Sequence, residues 1–112
     1  LVDLQDCKCF YCNKPMKKGN YAVDHFIPWS MYPSDTGHNF VLADSSCNSK
    51  KSNLLASNEF LHKWQERNEE HNLIIVDRIS VLGFLTDKER SHKVAEWAYS
   101  QGKENNYLMW MG

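Results

Sequence analysis

Residues 23–30 of this 112-residue chain read "VDHFIPWS". Asp24 and His25 stand side by side here, in a run of β-forming residues that Pro28 brings to an end. Adjacent residues of a strand point to opposite faces, so a strand alone does not bring these two side chains into one pocket. They can share a site where the strand ends or twists and a neighbouring helix supplies further groups.

The surrounding sequence predicts a wide β-hairpin followed by a helix. Residues 21–27 and 39–43 are rich in strand formers, and residues 28–37 between them contain two prolines, a glycine and a Ser-Asp pair that favour a loop. Asp44 is suited to the N-cap of the next segment, residues 44–53, which contains no proline. We expect a helix of about three turns there.

The second half of the chain is predicted to be helical. Thr86 and Glu89 form a capping-box pattern before the last helix. Residues 72–85 are ambiguous, because their β-branched run favours a strand whereas their apolar residues recur at helical spacing; a helix is the preferred interpretation. Three apolar sets each share one helix face: Phe60, Leu61 and Trp64; Ile75, Ile79 and Leu82; Val94, Trp97 and Ala98.

These patterns predict an α+β fold that is mainly helical. A hairpin-plus-helix core is expected at about residues 7–56, and a tail of additional C-terminal helices at about residues 57–112. The length of the chain, residues 1–112, suits a single domain. Because the sequence starts at Leu1 without a methionine, we expect this domain to be a fragment of a longer protein.

Composition and charge exclude some classes of protein and leave others open. A hydrophobic fraction of 42% with 12% aromatic residues is typical of a folded globule and argues against disorder. No apolar run is long enough to span a membrane, and the N-terminus does not resemble a signal peptide. The net charge of −1 does not by itself identify a nucleic-acid partner. Lysines carry the positive charge of the first half, chiefly Lys14, Lys17, Lys18, Lys50 and Lys51.

The four cysteines favour a metal site. Cys7, Cys9 and Cys12 fall within six residues, and Cys47 is far away in sequence. This spacing is more typical of a metal-binding knuckle than of a disulfide framework. Reduced cysteines imply a reducing, intracellular and cytoplasmic setting.

Three motifs in this order resemble the HNH endonuclease family: "CFYC" at residues 9–12, "VDHFIPWS" at residues 23–30 and "GHNFVLADSSCNSKKS" at residues 37–52. The resemblance covers about residues 9–52. It implies a ββα-metal core, which is a hairpin followed by a helix, and cleavage of nucleic-acid phosphodiester bonds.

The resemblance also implies a role for each residue of the site. His25 would be the general base that takes a proton from the attacking water, and Asp24 with Asn48 would bind one catalytic Mg²⁺ or Mn²⁺ ion. Asn39 would fix the hairpin loop and the orientation of His25. Lys51 occupies a position where the family often has a lysine, and it would meet a backbone phosphate. Lys50 and His38 are further candidates for contact with nucleic acid.

In zinc-bearing members of the family, two cysteine pairs form a second, structural site. The resemblance places Cys9 and Cys12 in the first pair and Cys47 in the second, where Asp44 occupies the remaining position. Three thiolates and a carboxylate can bind zinc, although sets of cysteine and histidine are commoner. Cys7 or a histidine is an alternative fourth ligand, and a chain without zinc is a further alternative.

The expected function is therefore metal-dependent hydrolysis of DNA by a single-metal, histidine-base mechanism. Further domains or a partner would supply target specificity. Two other interpretations stay open: a zinc-knuckle module that binds nucleic acid or protein without catalysis, and a nuclease that acts on RNA.

Overall fold

The computed structural model describes residues 5–17 and 19–112. In these residues the chain forms four α-helices, a two-stranded antiparallel hairpin and a short parallel strand pair, which confirms the predicted mainly helical α+β class. The elements, in chain order, are β1 (Tyr21–His25), a 3₁₀ turn (Gly37–Asn39), β2 (Phe40–Asp44), α1 (Ser45–Lys51), β3 (Leu55–Ala56), α2 (Asn58–Glu70), α3 (Asn72–Val81), α4 (Lys88–Glu104) and β4 (Met109–Trp110).

The hairpin pairs β1 with β2 so that His25 lies opposite Phe40 and Asp24 opposite Val41. Strand β2 is buried from its first residue to Ala43, whereas β1 is partly exposed. The first strand ends at His25, two residues earlier than predicted, because Ile27 bonds to the side chain of Asn39 instead of extending the ladder. His25 therefore occupies the end of its strand.

Helix α1 begins where the hairpin ends. The Asp44 side chain accepts a hydrogen bond from the backbone N–H of Cys47 at 2.7 Å, which confirms the predicted N-cap. The helix has seven residues, about two turns and not the expected three. It stops because Ser52 adopts a φ of 49°, outside the helical region.

The helical tail packs around Trp64 of α2, which is fully buried and stacks on Phe26 at a ring-centroid distance of 4.8 Å. Residues 72–85 form α3 and a following turn, so the preference for a helix is confirmed. The N-cap of α4 is Asp87 and not Thr86, because the Asp87 carboxylate accepts from the N–H of Arg90 at 2.9 Å. Trp97 of α4 is half exposed, so it does not join the predicted apolar face.

A parallel pair of two-residue strands, β3 and β4, joins the C-terminal end of the chain to the segment after α1. No sequence pattern predicts this pair, since two residues carry no periodicity. None of the helices in the described ranges has the length and apolar character required to cross a membrane.

Candidate functional site

His25 is held by contacts on several sides. Its Nε2 lies 2.8 Å from Oδ1 of Asp35, in the loop between β1 and β2. The rings of Trp29 and Phe40 pack edge-to-face against the imidazole, with centroid distances of 5.5 and 5.4 Å. The side chain nevertheless remains 28% exposed. The imidazole is thus both fixed in orientation and accessible to a substrate.

Asp24 precedes His25 and is held through a single oxygen. The Tyr11 hydroxyl donates to Asp24 Oδ2 at 2.5 Å, and the ammonium of Lys51 lies 3.3 Å from the same atom. Burial, and after it the Asp24 charge, raises the pKa of Tyr11 well above its ordinary value. The hydroxyl therefore stays protonated and acts as a donor.

Lys51 does not face nucleic acid, so the expectation that it meets a phosphate is wrong. Its side chain is fully buried, and its ammonium donates to the backbone carbonyl of His25 at 3.3 Å besides pairing with Asp24. Burial lowers the pKa of Lys51, and the charge of Asp24 partly opposes this effect. Lys51 links α1 to the two residues at the end of β1.

Asn48 lies on α1, three residues before Lys51 and partly buried. Residues three apart share one face of a helix. Since Lys51 reaches Asp24, Asn48 is on the face of α1 that is turned toward β1. The structure thus places Asp24 and Asn48 on neighbouring elements.

Asn39 is fully buried and binds the chain immediately after β1. Its Oδ1 accepts from the N–H of Ile27 at 2.7 Å, and its Nδ2 donates to the Ile27 carbonyl at 3.0 Å. Its own carbonyl accepts from the N–H of Phe26. These bonds fix the path of the loop that leaves His25.

His38 is also buried and cannot face nucleic acid, contrary to expectation. Its Nε2 lies 2.8 Å from Oδ1 of Asn72, and its Nδ1 is buried without a protein partner. Burial lowers the pKa of His38. Of the five lysines named above for the first half of the chain, Lys14, Lys17 and Lys50 are exposed, whereas Lys18 lies outside the described residues.

The predicted cysteine site is assembled in the structure. The sulfur atoms of Cys9, Cys12 and Cys47 and a carboxylate oxygen of Asp44 all lie within 4.8 Å of one another. This spacing and this donor set suit a single ion, so the cluster could hold a metal. Cys7 is exposed and is not part of the cluster, which leaves Asp44 in the fourth position.

Asp44 divides its two oxygens between the helix and the cluster. Oδ1 caps α1, and Oδ2 accepts from the thiol of Cys12 at 3.1 Å. The bond from the Cys47 N–H, and next the Cys12 thiol, lowers the pKa of Asp44. Burial raises the pKa of the Cys12 and Cys47 thiols. The N-cap and the ligand interpretations of Asp44 are therefore compatible.

Sequence reasoning missed several residues that support these two sites. Tyr11 lies between the paired cysteines, and nothing in its spacing links it to Asp24. Asp35 lies in a loop without a periodic signal. Lys63 and Arg67 of α2 donate to main-chain carbonyls near the site: Lys63 to that of Phe10, and Arg67 to those of His38 and Phe40, both at 2.6 Å. Only the three-dimensional contacts identify them.

The comparison with protein families agrees with this geometry. Residues 9–57 match a family model described as HNH endonuclease. The matched segment contains the cysteine cluster, the hairpin and α1, and therefore both sites described above. No curated protein matches the chain. Residues 9–57 are thus similar to the HNH endonuclease family, and this similarity suggests a nuclease.

Proposed function

We propose that this chain is a metal-dependent endonuclease that hydrolyses DNA phosphodiester bonds. The observation that carries the proposal is the position of Asp24 and His25 at the end of β1, with each side chain held by a separate partner. The family match over residues 9–57 supports a nuclease. The substrate and the roles of individual residues belong to the proposal.

His25 is the general base. It accepts a proton from the attacking water while the water oxygen forms a bond to phosphorus and the bond from phosphorus to the 3′ oxygen breaks. The leaving 3′ oxygen takes a proton from solvent, so the products are a 5′-phosphate and a 3′-hydroxyl. A histidine is suited to this task because it is largely neutral near pH 7 and can accept a proton.

Asp24 and Asn48 would bind the catalytic cation. Tyr11 and Lys51 both contact Oδ2 of Asp24, so Oδ1 is the oxygen that remains for a metal. A carboxylate and an amide oxygen are donors that Mg²⁺ and Mn²⁺ accept, and Mg²⁺ commonly binds few protein ligands. A bound cation would neutralise charge on the phosphate and on the leaving oxygen.

The cysteine cluster would hold a structural zinc ion. Cys9 and Cys12 precede the hairpin, whereas Asp44 and Cys47 lie at the start of α1, so one ion would join segments that are distant in sequence. Structural zinc contributes directly to folding free energy. The four cysteines are free in the structure, and a reducing, intracellular setting is part of the proposal.

DNA would meet the partly exposed face that carries His25, and the exposed lysines Lys14, Lys17 and Lys50 could contact its backbone. Backbone contacts give affinity but little sequence information. We propose that the chain is a nuclease domain of a longer protein and that other domains or a partner select the target.

Incubation of the purified chain with supercoiled plasmid in Mg²⁺, in Mn²⁺ and in EDTA tests the proposal. We expect nicked or linear DNA with either metal and none with EDTA. An RNA of matched sequence, assayed in parallel, distinguishes the two substrates. Binding of DNA without cleavage under any metal would support the non-catalytic zinc-knuckle alternative instead.

A further inference from the structure

Asp35 is the nearest acidic partner of His25 in the described structure. The two side chains meet at 2.8 Å, between Nε2 of the imidazole and Oδ1 of the carboxylate, although ten residues separate them in sequence. The Asp35 side chain is 50% exposed. Asp35 lies in the loop between β1 and β2, so the contact joins this loop to the last residue of β1. Neither the hairpin-plus-helix fold nor the general-base role of His25 by itself requires an acidic residue at position 35.

The contact determines which nitrogen of His25 carries the proton. A carboxylate only accepts hydrogen bonds, and a neutral imidazole has one N–H donor and one acceptor nitrogen. The nitrogen next to Asp35 must therefore be the donor, so the hydrogen is on Nε2. Nδ1 is left as the acceptor, and it is the atom that can take a proton from water.

The loop that carries Asp35 is itself anchored to the helical tail. Thr36 pairs with Leu85, and the N–H of Gly37 donates to the Leu85 carbonyl at 2.8 Å. A side chain at Gly37 would come within 2.6 Å of an Ile79 methyl group, so only glycine fits this approach. The position of Asp35 is thus set by packing against α3 and the segment after it.

We propose that Asp35 is the positioning residue of the catalytic base. It holds the His25 ring in one orientation, keeps the hydrogen on Nε2, and stabilises the imidazolium that forms when Nδ1 takes the proton from water. This inference rests on the proposed nuclease function. The arrangement follows the physical logic by which a carboxylate orients a catalytic histidine in hydrolases.

Three substitutions separate the components of this role. Asp35→Ala removes the acceptor, Asp35→Asn keeps the size but loses the charge and adds an N–H donor, and Asp35→Glu keeps the carboxylate. Because the side chain is half exposed, none of them should leave a buried cavity. Asp77→Ala is the matched control, since Asp77 is an exposed aspartate on α3.

We expect Asp35→Ala to lower kcat by about 10- to 100-fold, less than the ~10⁴-fold effect of the wrong tautomer in a buried triad because solvent screens this pair. KM should stay within about twofold, because the residue acts on the base and not on substrate binding. Asp35→Glu should recover part of the rate, and Asp77→Ala should match the unmodified chain. Unchanged kcat in Asp35→Ala would overturn the proposal.

A second measurement does not depend on cleavage. Long-range ¹H–¹⁵N correlation spectra, in buffer alkaline enough to keep histidine neutral, report which ring nitrogen is protonated. The His25 signals are assigned by their loss in His25→Ala. We expect the Nε2–H form in the unmodified chain and a mixture in Asp35→Ala and Asp35→Asn. An Nδ1–H form in the unmodified chain, or a tautomer that does not respond to Asp35, would overturn the positioning role even if DNA is cut.

The two measurements separate the two proposals. If the chain cuts no DNA but the His25 tautomer changes when Asp35 is replaced, the effect of Asp35 on the His25 ring stands and the nuclease function fails. If the chain cuts DNA and neither kcat nor tautomer responds to Asp35, the nuclease function stands and the positioning role fails.

Discussion

At the scale of single residues, Asp24 shows how a ligand of the proposed catalytic metal site would be kept in position. A carboxylate that binds a cation through one oxygen needs its other oxygen to be fixed, or the side chain rotates away. Two residues restrain Oδ2 of Asp24: Tyr11, which precedes β1, and Lys51, at the end of α1. Lys51 is therefore a supporting residue of the site and not a contact to DNA.

Replacing Tyr11 by Phe tests this restraint. The ring should remain packed against Phe60 and Trp110, so the fold is retained, but Asp24 loses its closest donor. Loss of such a supporting bond typically costs about 10- to 100-fold in metal affinity or activity. We expect the Mg²⁺ concentration for half-maximal cleavage to rise by at least about tenfold.

Tyr21→Phe is the matched control, because Tyr21 is an exposed tyrosine at the start of β1. It should leave the Mg²⁺ dependence unchanged. If Tyr11→Phe has the same Mg²⁺ dependence as the unmodified chain, the hydroxyl does not hold Asp24 for the metal.

The sequence marks some residues of the candidate site and gives no signal for others. Asp24, His25, Asn39 and Asn48 stand out because the motif spacing marks them, and their chemistry is still to be tested. Lys51 was interpreted incorrectly, because lysines are seldom fully buried and no local pattern signals an exception. Asp35 and Tyr11 carried no signal, since their partners are set by the closure of a loop.

At the scale of elements, the hairpin, helix α1 and the cysteine cluster meet at the start of α1. Asp44 ends β2, caps α1 and contributes an oxygen to the cysteine cluster. The backbone N–H of Asp44 also lies 3.4 Å from the sulfur of Cys9 as a donor. A metal bound here would thus hold the knuckle, the hairpin and the helix together.

Replacing Cys12 by Ala should lower stability and zinc content together. Structural zinc supplies roughly 10–16 kcal/mol of apparent binding free energy in small domains, and losing one ligand should remove a substantial part of it. Metal analysis and thermal melts, with and without a chelator, measure both effects. Cys7→Ala is the control, because Cys7 is exposed and outside the cluster. Equal melting temperatures for the two variants would argue against a bound zinc.

Element type was predicted more reliably than element length. The hairpin and the helices follow from composition and periodicity, which are local properties of the chain. The premature end of α1 depends on the backbone of Ser52, and the N-cap of α4 depends on a choice between Thr86 and Asp87. Pairing of β3 with β4 joins residues that are more than fifty positions apart in sequence, so no local pattern predicts this pairing.

At the scale of the whole molecule, helix α2 of the helical tail holds the hairpin in position through buried hydrogen bonds. The Arg67 guanidinium is nearly inaccessible and donates to the carbonyls of His38 and Phe40, and burial lowers its pKa to about 9. The indole N–H of Trp64 donates to the His38 carbonyl at 2.8 Å. The 3₁₀ turn before β2 is therefore held by α2, and this arrangement was not predictable from either segment alone.

Burial of neutral His38 in this region makes stability depend on pH. Because burial lowers the pKa of His38 in the folded state, its contribution is fully present above the unfolded pKa of about 6.5 and is lost as pH falls through the folded pKa. Burial also lowers the pKa of His92. We expect the free energy of unfolding to decrease below about pH 6.5.

Urea unfolding over this pH range measures the effect, with His38→Gln as the variant. Glutamine does not titrate, so the loss of stability on acidification should be smaller than in the unmodified chain. His62→Gln is the control, because His62 is exposed on α2. A pH dependence that is identical in all three proteins would show that His38 is not buried in its neutral form.

The central claim is that His25 carries out DNA cleavage as a general base. The rate of plasmid cleavage in Mg²⁺, compared between His25→Ala and the exposed-histidine variant His62→Ala, tests it most directly. Loss of a general base should slow cleavage by about 10²- to 10⁴-fold in His25→Ala, with thermal stability and zinc content retained and with His62→Ala unaffected. Cleavage by His25→Ala at the unmodified rate would contradict the claim.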